Sequence, residues 1–307
     1  MNKHLCLLAA LLLSAVCNAG EPEGSPTAAK LGMAEAVTLG VVEGVTEYLP
    51  ISSTGHLILT ERALGIGDTP EEKIAADAYA MVIQFGAILA VVGLYRARVK
   101  SMILGVFGRD PAGLRLAVNL FLALLPAAAA GLFVNDFVRQ HLFGLWPVVS
   151  AWFVGGVAIL LLERFSKRGR DDGSDIEGLT PARAFGIGCF QCLAMWPGVS
   201  RSLSTMLGGR LLGLNTRASV EFSFLLGGLT LTASAAKDTL EHGREILDFF
   251  GPAFILVGLA AAFVSAVIAV KWLVGFLNRH SLSVFGWYRI ALAAVVAGLL
   301  ASGHLSP

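Results

Sequence analysis

Residues 43–56 read Glu-Gly-Val-Thr-Glu-Tyr-Leu-Pro-Ile-Ser-Ser-Thr-Gly-His, and the fold turns on how this stretch is read. Glu43 and Glu47 are four residues apart, so on a helix they share one face. Gly40 and Gly44 clear space beside them. Pro50 ends the helix, the hydroxyls of Ser52, Ser53 and Thr54 follow, and a new helical run begins near His56. The arms on either side, Met33–Glu47 and His56–Leu64, are too short and too polar to cross a bilayer singly, since a spanning helix needs about 20 apolar residues. The segment reads as a re-entrant helical hairpin. Its tip enters the membrane, and its Ser and Thr side chains satisfy the backbone groups that the break sets free.

A second stretch repeats the pattern. Short arms at Ala184–Met195 and Ser204–Leu214 flank Trp196-Pro-Gly-Val-Ser-Arg-Ser202. Around the two hairpins lie six longer apolar runs: Tyr79–Tyr95, Leu114–Val134, Trp146–Leu162, Ser219–Ala236, Pro252–Leu277 and Val284–Ser302. Each is long enough, or nearly so, to span. Composition agrees, with 55% hydrophobic and 15% charged residues and a mean hydropathy of +0.72. A soluble domain of this size needs more charge to cover its surface. The formal net charge of +1 gives no reason to expect nucleic acid.

The charges are sorted into loops. Arg96, Arg98, Lys100, Arg109 and Arg115 form one basic loop, Glu163–Arg170 opens a second, and Lys271 with Arg279 marks a third. By the positive-inside rule these are cytoplasmic. The mixed or acidic segments Glu61–Asp77, Asn135–Leu145 and Lys237–Asp248 fall on the other side. The order is then hairpin, three spans, hairpin, three spans, the first hairpin inserted from outside and the second from inside. The expected fold is an all-α polytopic membrane protein, an inverted repeat of six transmembrane helices plus two re-entrant hairpins. A single domain over 33–303 has repeat halves at about 33–165 and 182–303. Aligning Ala36 with Ala184 also pairs Gly40 with Gly188, Glu43 with Gln191 and Ser52 with Ser200.

Residues 1–20 stand apart. Lys3 and His4 precede the apolar run Leu5–Val16, then Cys17-Asn18-Ala19 and a Gly/Pro/Glu/Ser segment, which reads as a signal peptide followed by a periplasmic linker at 21–32. Cys189 and Cys192 form a C-x-x-C inside an apolar helix, without the two further ligands zinc needs, and read as small packing residues.

Ionisable residues at membrane depth are costly and by default mark a functional site. Paired carboxylates at Glu43 and Glu47 either share a proton or hold a divalent cation. The Ser/Thr loop and the start of the following helix make an anion site, and a Ser beside a His is a pairing for nucleophilic attack. Helix capping alone accounts for Ser52, Ser53 or Thr54, but not for the carboxylates upstream or His56 downstream. On the second tip Arg201, bracketed by Ser200 and Ser202, reads as the only strong cation deep in an apolar region, and arginine suits bidentate phosphate binding. The plainer account, an ion pair with Glu47, is compatible, since such a pair can open to receive phosphate. Together the groups form a phosphoryl-transfer constellation with Ser53 or an activated water attacking in line. No Walker lysine motif is present, which disfavours nucleoside triphosphates.

The two stretches, with Val-Ile-Gln-Phe-Gly-Ala-Ile-Leu-Ala-Val at 82–91, Gly-Cys-Phe-Gln-Cys-Leu-Ala-Met before Trp196, and Glu-Phe-Ser-Phe-Leu-Leu at 221–226, resemble the undecaprenyl-diphosphate phosphatase family of the bacitracin-resistance type. The similarity runs from about Met33 to Ser302. It implies removal of the terminal phosphate of undecaprenyl diphosphate to regenerate the lipid carrier for peptidoglycan. It also implies a divalent cation (Mg²⁺ or Ca²⁺) and a site facing the periplasm across the bacterial inner membrane. Carried over residue by residue, Glu43 and Glu47 match the acidic motif for metal or proton handling, and Ser53 the proposed nucleophile. His56 matches the proposed acid/base. Arg201, Ser200, Ser202 and Thr205 match the phosphate-binding motif, with Ser52 and Thr54 lining the first tip. Expected partners are the lipid diphosphate and the bilayer, with a homodimer left open.

Three features depart from the family pattern: Leu203 stands where a Gly usually follows Ser-Arg-Ser, Gly227–Ala233 lacks the usual Val-Pro pattern, and the leader is uncommon. The rival reading is a polyprenyl-phosphate flippase or transporter, because broken helices meeting at mid-membrane are also transporter architecture. A flippase needs no nucleophile. The phosphatase reading requires Ser53, Glu47, His56 and Arg201 to share one cavity.

Overall fold

The computed structural model describes residues 32–66, 70–142, 144–165 and 173–305. The leader and all but the last residue of the linker lie outside them. Among the described residues the chain is helical with no named strand. In chain order the helices are α1 (Met33–Thr46), α2 (Ser53–Leu64), α3 (Pro70–Leu94), α4 (Arg96–Val106), α5 (Pro111–His141), α6 (Leu145–Phe165), α7 (Pro181–Gln191), α8 (Arg201–Leu211), α9 (Thr216–Leu277) and α10 (Ser283–Ala301). A 3₁₀ turn at Cys192–Met195 continues α7.

Among the described residues six segments are long and apolar enough to cross a membrane: Ala76–Leu94, Pro111–Val134, Leu145–Phe165, Thr216–Ala236, Pro252–Leu277 and Ser283–Ala301. They coincide with the six runs read from the sequence to within a few residues. The chain is an all-α polytopic membrane protein. Its polarity is inverted relative to a soluble domain. Phe133 and Leu132 on α5 are 85% and 83% exposed, whereas Glu43, Ser202, Thr205, Ser223 and Arg289 are buried. Apolar side chains face lipid, so the interior is free to hold polar groups.

Two segments expected as loops are helical. The basic stretch after α3 forms α4, which crosses α5 closely: an added Cβ at Gly105 would strike the α5 backbone at Gly113 and Leu114, and one at Gly113 would strike Ser101. The backbone of 237–251 is also helical, so helical backbone continues through α9 from its first span to its second. Lys, Glu, Arg and Leu fill that stretch and are good helix formers. Yet Phe224 and Ala266 belong to one apolar cluster. A straight helix at about 1.5 Å per residue would hold them roughly 60 Å apart. The element therefore doubles back, with Pro252 between its arms.

The two short helix pairs are built alike. α1 and α2 meet at a tip over residues 47–52, and α7 and α8 at a tip over 196–200. Ser52 (φ 74°) and Ser200 (φ 78°) are the two described non-glycine residues in the left-handed region, and each stands immediately before the second helix of its pair. The aligned glycines do matching work. An added Cβ at Gly40 would strike the backbone of Gly258 on the second arm of α9, and one at Gly188 would strike the backbone of Ala123 on α5. Close backbone contact of this kind is how helices associate without a hydrophobic drive in lipid. Tyr79 on α3 adds a polar tie, its hydroxyl reaching the carbonyls of Ala36 (3.3 Å) and Phe254 (3.1 Å).

Candidate active site

The two tips meet inside the bundle. Glu47, at the end of α1, accepts from Ser53 Oγ on one carboxylate oxygen (2.5 Å) and from Arg201 Nη2 on the other (3.0 Å). Ser53 opens α2 and Arg201 opens α8, so one carboxylate bridges the reactive groups of both hairpins. Arg201 is further fixed by donating from Nη1 to the Ser223 carbonyl (3.0 Å) and by lying 5.4 Å from the centre of the buried Tyr48 ring. That ring packs edge-on against Phe224. Among the described residues Arg201 Nε has no hydrogen-bond partner. Gly227 makes room for the guanidinium, which a side chain there would overlap.

Glu47, Ser52, Ser53, Thr54, Ser200 and Arg201 line a cavity of about 180 Å³, joined by Gln84 from α3. Ala194, Pro197 and Leu231 give it an apolar side. The first N–H groups of α2 and α8 have no acceptors within their helices, which leaves two helix starts at an anion-sized space. One is partly filled: Ser200 Oγ accepts from Leu203 N (3.2 Å) and meets Ser202 Oγ (2.9 Å).

Other sequence candidates lie off this space. Ser202 Oγ donates to the Leu49 carbonyl (2.8 Å), binding the second tip to the first. Thr205 Oγ1 bonds the Arg201 carbonyl (2.9 Å) and Ser223 Oγ (2.6 Å). Both hydroxyls are spent inside the fold. His56 is also engaged elsewhere, through Nδ1 to the Ser52 carbonyl (2.7 Å) and Nε2 to the Tyr288 hydroxyl (2.7 Å). Because a carbonyl only accepts, Nδ1 carries a proton. The ring stacks on Tyr288 and sits 5.5 Å from Trp152. The structure thus unites Ser53, Glu47 and Arg201 but does not pair Ser53 with His56. The histidine holds the Ser52 peptide in its left-handed conformation instead. Leu203, the departure in the second motif, is buried in the main apolar cluster.

Glu43 is 1% exposed, and among the described residues its carboxylate meets no close hydrogen-bond donor; Gln84 and Glu47 are its polar neighbours. Among the described residues no group of three His, Cys, Asp or Glu side chains is arranged to hold a metal. Two adjacent carboxylates, one of them without a close donor, nevertheless fit a hard cation of the Mg²⁺ type, which keeps waters and takes its remaining oxygens from a phosphate substrate.

Sequence reasoning missed Tyr48, Gln84, Ser223 and Tyr288. It also missed Arg289, and here it needs correction. Arg201 is not the only strong cation in an apolar region, because Arg289 lies within the last span and is completely buried. The rule that singled out Arg201, a charge inside a span, applies to Arg289 equally.

With this geometry in view, comparison with known proteins is informative. The family model for bacitracin resistance protein BacA matches residues 36–295. A protein of Sorangium cellulosum named undecaprenyl-diphosphatase is 46% identical over 267 residues, covering 86% of this chain and 85% of its own length. Proteins named undecaprenyl-diphosphatase 2 from Rhodospirillum rubrum (42% over 272 residues; 89% and 96% covered) and Paramagnetospirillum magneticum (43% over 268; 87% and 99%) are similar as well.

Proposed function

The chain belongs to the bacitracin resistance protein BacA family, and from that premise we infer that it is an undecaprenyl-diphosphate phosphatase, hydrolysing its substrate to undecaprenyl phosphate and inorganic phosphate. The product is the lipid carrier recycled for peptidoglycan synthesis. The observation that carries the chemistry is the Ser53–Glu47–Arg201 chain, which joins a hydroxyl, a carboxylate and a guanidinium across the two tips. Nothing observed favours transport over hydrolysis.

In our reading the diphosphate enters the cavity and draws Arg201 from Glu47 onto its terminal phosphoryl oxygens. Glu47, released from the guanidinium, becomes the stronger base while its carboxylate still accepts the hydrogen bond from the Ser53 hydroxyl. Ser53 Oγ attacks the terminal phosphorus in line, its proton passes to Glu47, and the bond to the leaving undecaprenyl phosphate breaks. Water hydrolyses the phosphoserine and restores Ser53. If water rather than Ser53 attacks, Glu47 serves the same role as base. Arg201 and the helix starts stabilise the charge spread over the equatorial oxygens. A divalent cation at Glu43 and Glu47 would supply further neutralisation of the diphosphate. The polyprenyl chain cannot fit in about 180 Å³ and leaves along the apolar side at Ala194, Pro197 and Leu231.

The basic stretches of the sequence support an inner-membrane orientation with α4 and the C-terminal end of α6 toward the cytoplasm. The hairpins then enter from opposite faces and the site opens to the periplasm. Both half-sites come from one chain, so a homodimer is not required for the chemistry.

The test is phosphate release from undecaprenyl diphosphate by purified protein with Mg²⁺. Ser53→Ala, Glu47→Gln and Arg201→Ala should each abolish most of it. Robust lipid transport by an intact protein that releases no phosphate would sink the assignment.

A further inference from the structure

Arg289 carries a charge into the interior of α10 with its side chain 0% exposed. Among the described residues no carboxylate stands within ion-pair distance of it; ion pairs join Arg98 with Glu177 and Glu221, and Arg201 with Glu47. Its four hydrogen bonds all go to main-chain carbonyls. Nε reaches Trp152 (3.3 Å), Nη1 reaches Pro50 (3.2 Å), and Nη2 reaches both Ala151 (2.9 Å) and Gly198 (2.9 Å). A buried cation is tolerated only when its solvation is replaced, and four carbonyl dipoles make that replacement.

The choice of carbonyls is informative. Pro50 stands two residues before Ser52, and Gly198 two residues before Ser200. Those serines are the pair in the left-handed region, each at the start of the helix that carries Ser53 or Arg201. One guanidinium therefore bonds the equivalent carbonyl of both tips while bonding α6 behind them. α6 is shaped for it, since an added Cβ at Gly155 would overlap the guanidinium. A planar fork with five donors can reach acceptors on several sides at once, and an ammonium cannot reproduce this.

We propose that Arg289 is a positioning residue for the phosphatase reaction, clasping the two hairpin tips so that Ser53 with Glu47 on one and Arg201 on the other stand in register. The inference rests on the phosphatase reading. Arg289 touches no reacting atom. It acts by fixing the separation of the half-sites, and a misplacement of about 1 Å in such a constellation can lower the rate on the order of a hundredfold.

The test compares Arg289→Lys and Gly155→Ala with the parent protein, in the steady-state release of phosphate from undecaprenyl diphosphate per molecule of monodisperse protein. Arg289→Lys keeps the charge and loses the fork, so kcat should fall about a hundredfold with KM nearly unchanged. Gly155→Ala displaces the guanidinium without removing it and should give the same kind of loss. In the Arg289→Lys background, where the smaller head leaves room, Gly155→Ala should add little. Wild-type kcat in Arg289→Lys would overturn the proposal, as would a rise in KM with kcat kept, or losses that simply multiply in the double variant. If Arg289→Lys does not fold, Gly155→Ala decides: wild-type kcat there also overturns it. Parent protein that releases no phosphate would instead defeat the phosphatase reading itself.

Discussion

Gly227 and Gly228 are adjacent in α9, yet a methyl group should lower activity at the first and leave it unchanged at the second. At Gly227 an added Cβ would overlap the Arg201 guanidinium, while at Gly228 it meets nothing within 4 Å. Replacing a helical Gly by Ala gains about 0.5–1 kcal/mol of helix stability at either position. Only at Gly227 must the guanidinium retreat. That retreat breaks the 3.0 Å bond to Glu47 and the 3.0 Å bond to the Ser223 carbonyl. A shift of about 1 Å in a group that stabilises the transition state corresponds to roughly a hundredfold in rate, or about 2.7 kcal/mol of barrier. Phosphate release should show kcat/KM down about a hundredfold for Gly227→Ala, with Gly228→Ala near the parent value. Melting temperatures in detergent would confirm that both are folded. Equal losses in the two variants, or a Gly227→Ala protein with parental kcat/KM, would refute the view that Arg201 is held in place for catalysis.

Other expectations are as direct. Glu47→Gln keeps the shape of the carboxylate but not its basicity, and should lower kcat by about 10²–10⁴-fold, the usual contribution of a general base. Glu43→Gln leaves the Ser53–Glu47 bond in place; activity titrated with Mg²⁺ after chelation should need more metal, and an unchanged Mg²⁺ dependence would remove Glu43 from metal binding. Leu231→Trp narrows the apolar side of the cavity, so the ratio of kcat/KM for undecaprenyl diphosphate to that for a short prenyl diphosphate should fall; a constant ratio would place the chain elsewhere. Outside the membrane, hydrogen bonding from Arg98 at 2.7 Å holds the Glu177 carboxyl below its usual range. A lowered folded value means that the bridge stabilises fully above the unfolded pKa of about 4.3 and is lost as pH falls through the lower folded value. Melting temperature should therefore drop more steeply on acidification below that point in the parent than in Glu177→Gln.

The spans were legible because hydropathy is a one-dimensional signal, and a lipid-facing helix needs little more than length and apolar surface. The tips were legible because Pro and Gly interrupt a helix and clustered hydroxyls satisfy the backbone groups so freed, which marks a break between short arms. The pairing of Ser52 with Ser200 in sequence anticipated their shared backbone conformation. What stayed hidden is set by rotation and by distance along the chain. Periodicity does not say that Ser202 and Thr205 turn inward while Ser200 and Arg201 face the cavity. The hydroxyl that meets His56 is 232 residues away, and only the fold brings it there. Arg289 was overlooked because its partners are carbonyls, which every residue has and no sequence distinguishes. The helical backbone at 237–251 was misjudged because charge marked it as a loop, though its residue types favour helix.

The packing of Gly40 against Gly258 carries a consequence for biogenesis. α1 precedes α9 in the chain, but the backbone on which Gly40 packs belongs to the second arm of α9, more than 200 residues later. Until that arm is synthesised, a hairpin carrying two glutamates has no protein interior in which to lie, and lipid is a poor host for its charge. The final seating of the first hairpin is therefore coupled to the arrival of that later arm. Because the site needs Arg201 as well as Ser53 and Glu47, it cannot be complete before α8 has joined the first tip.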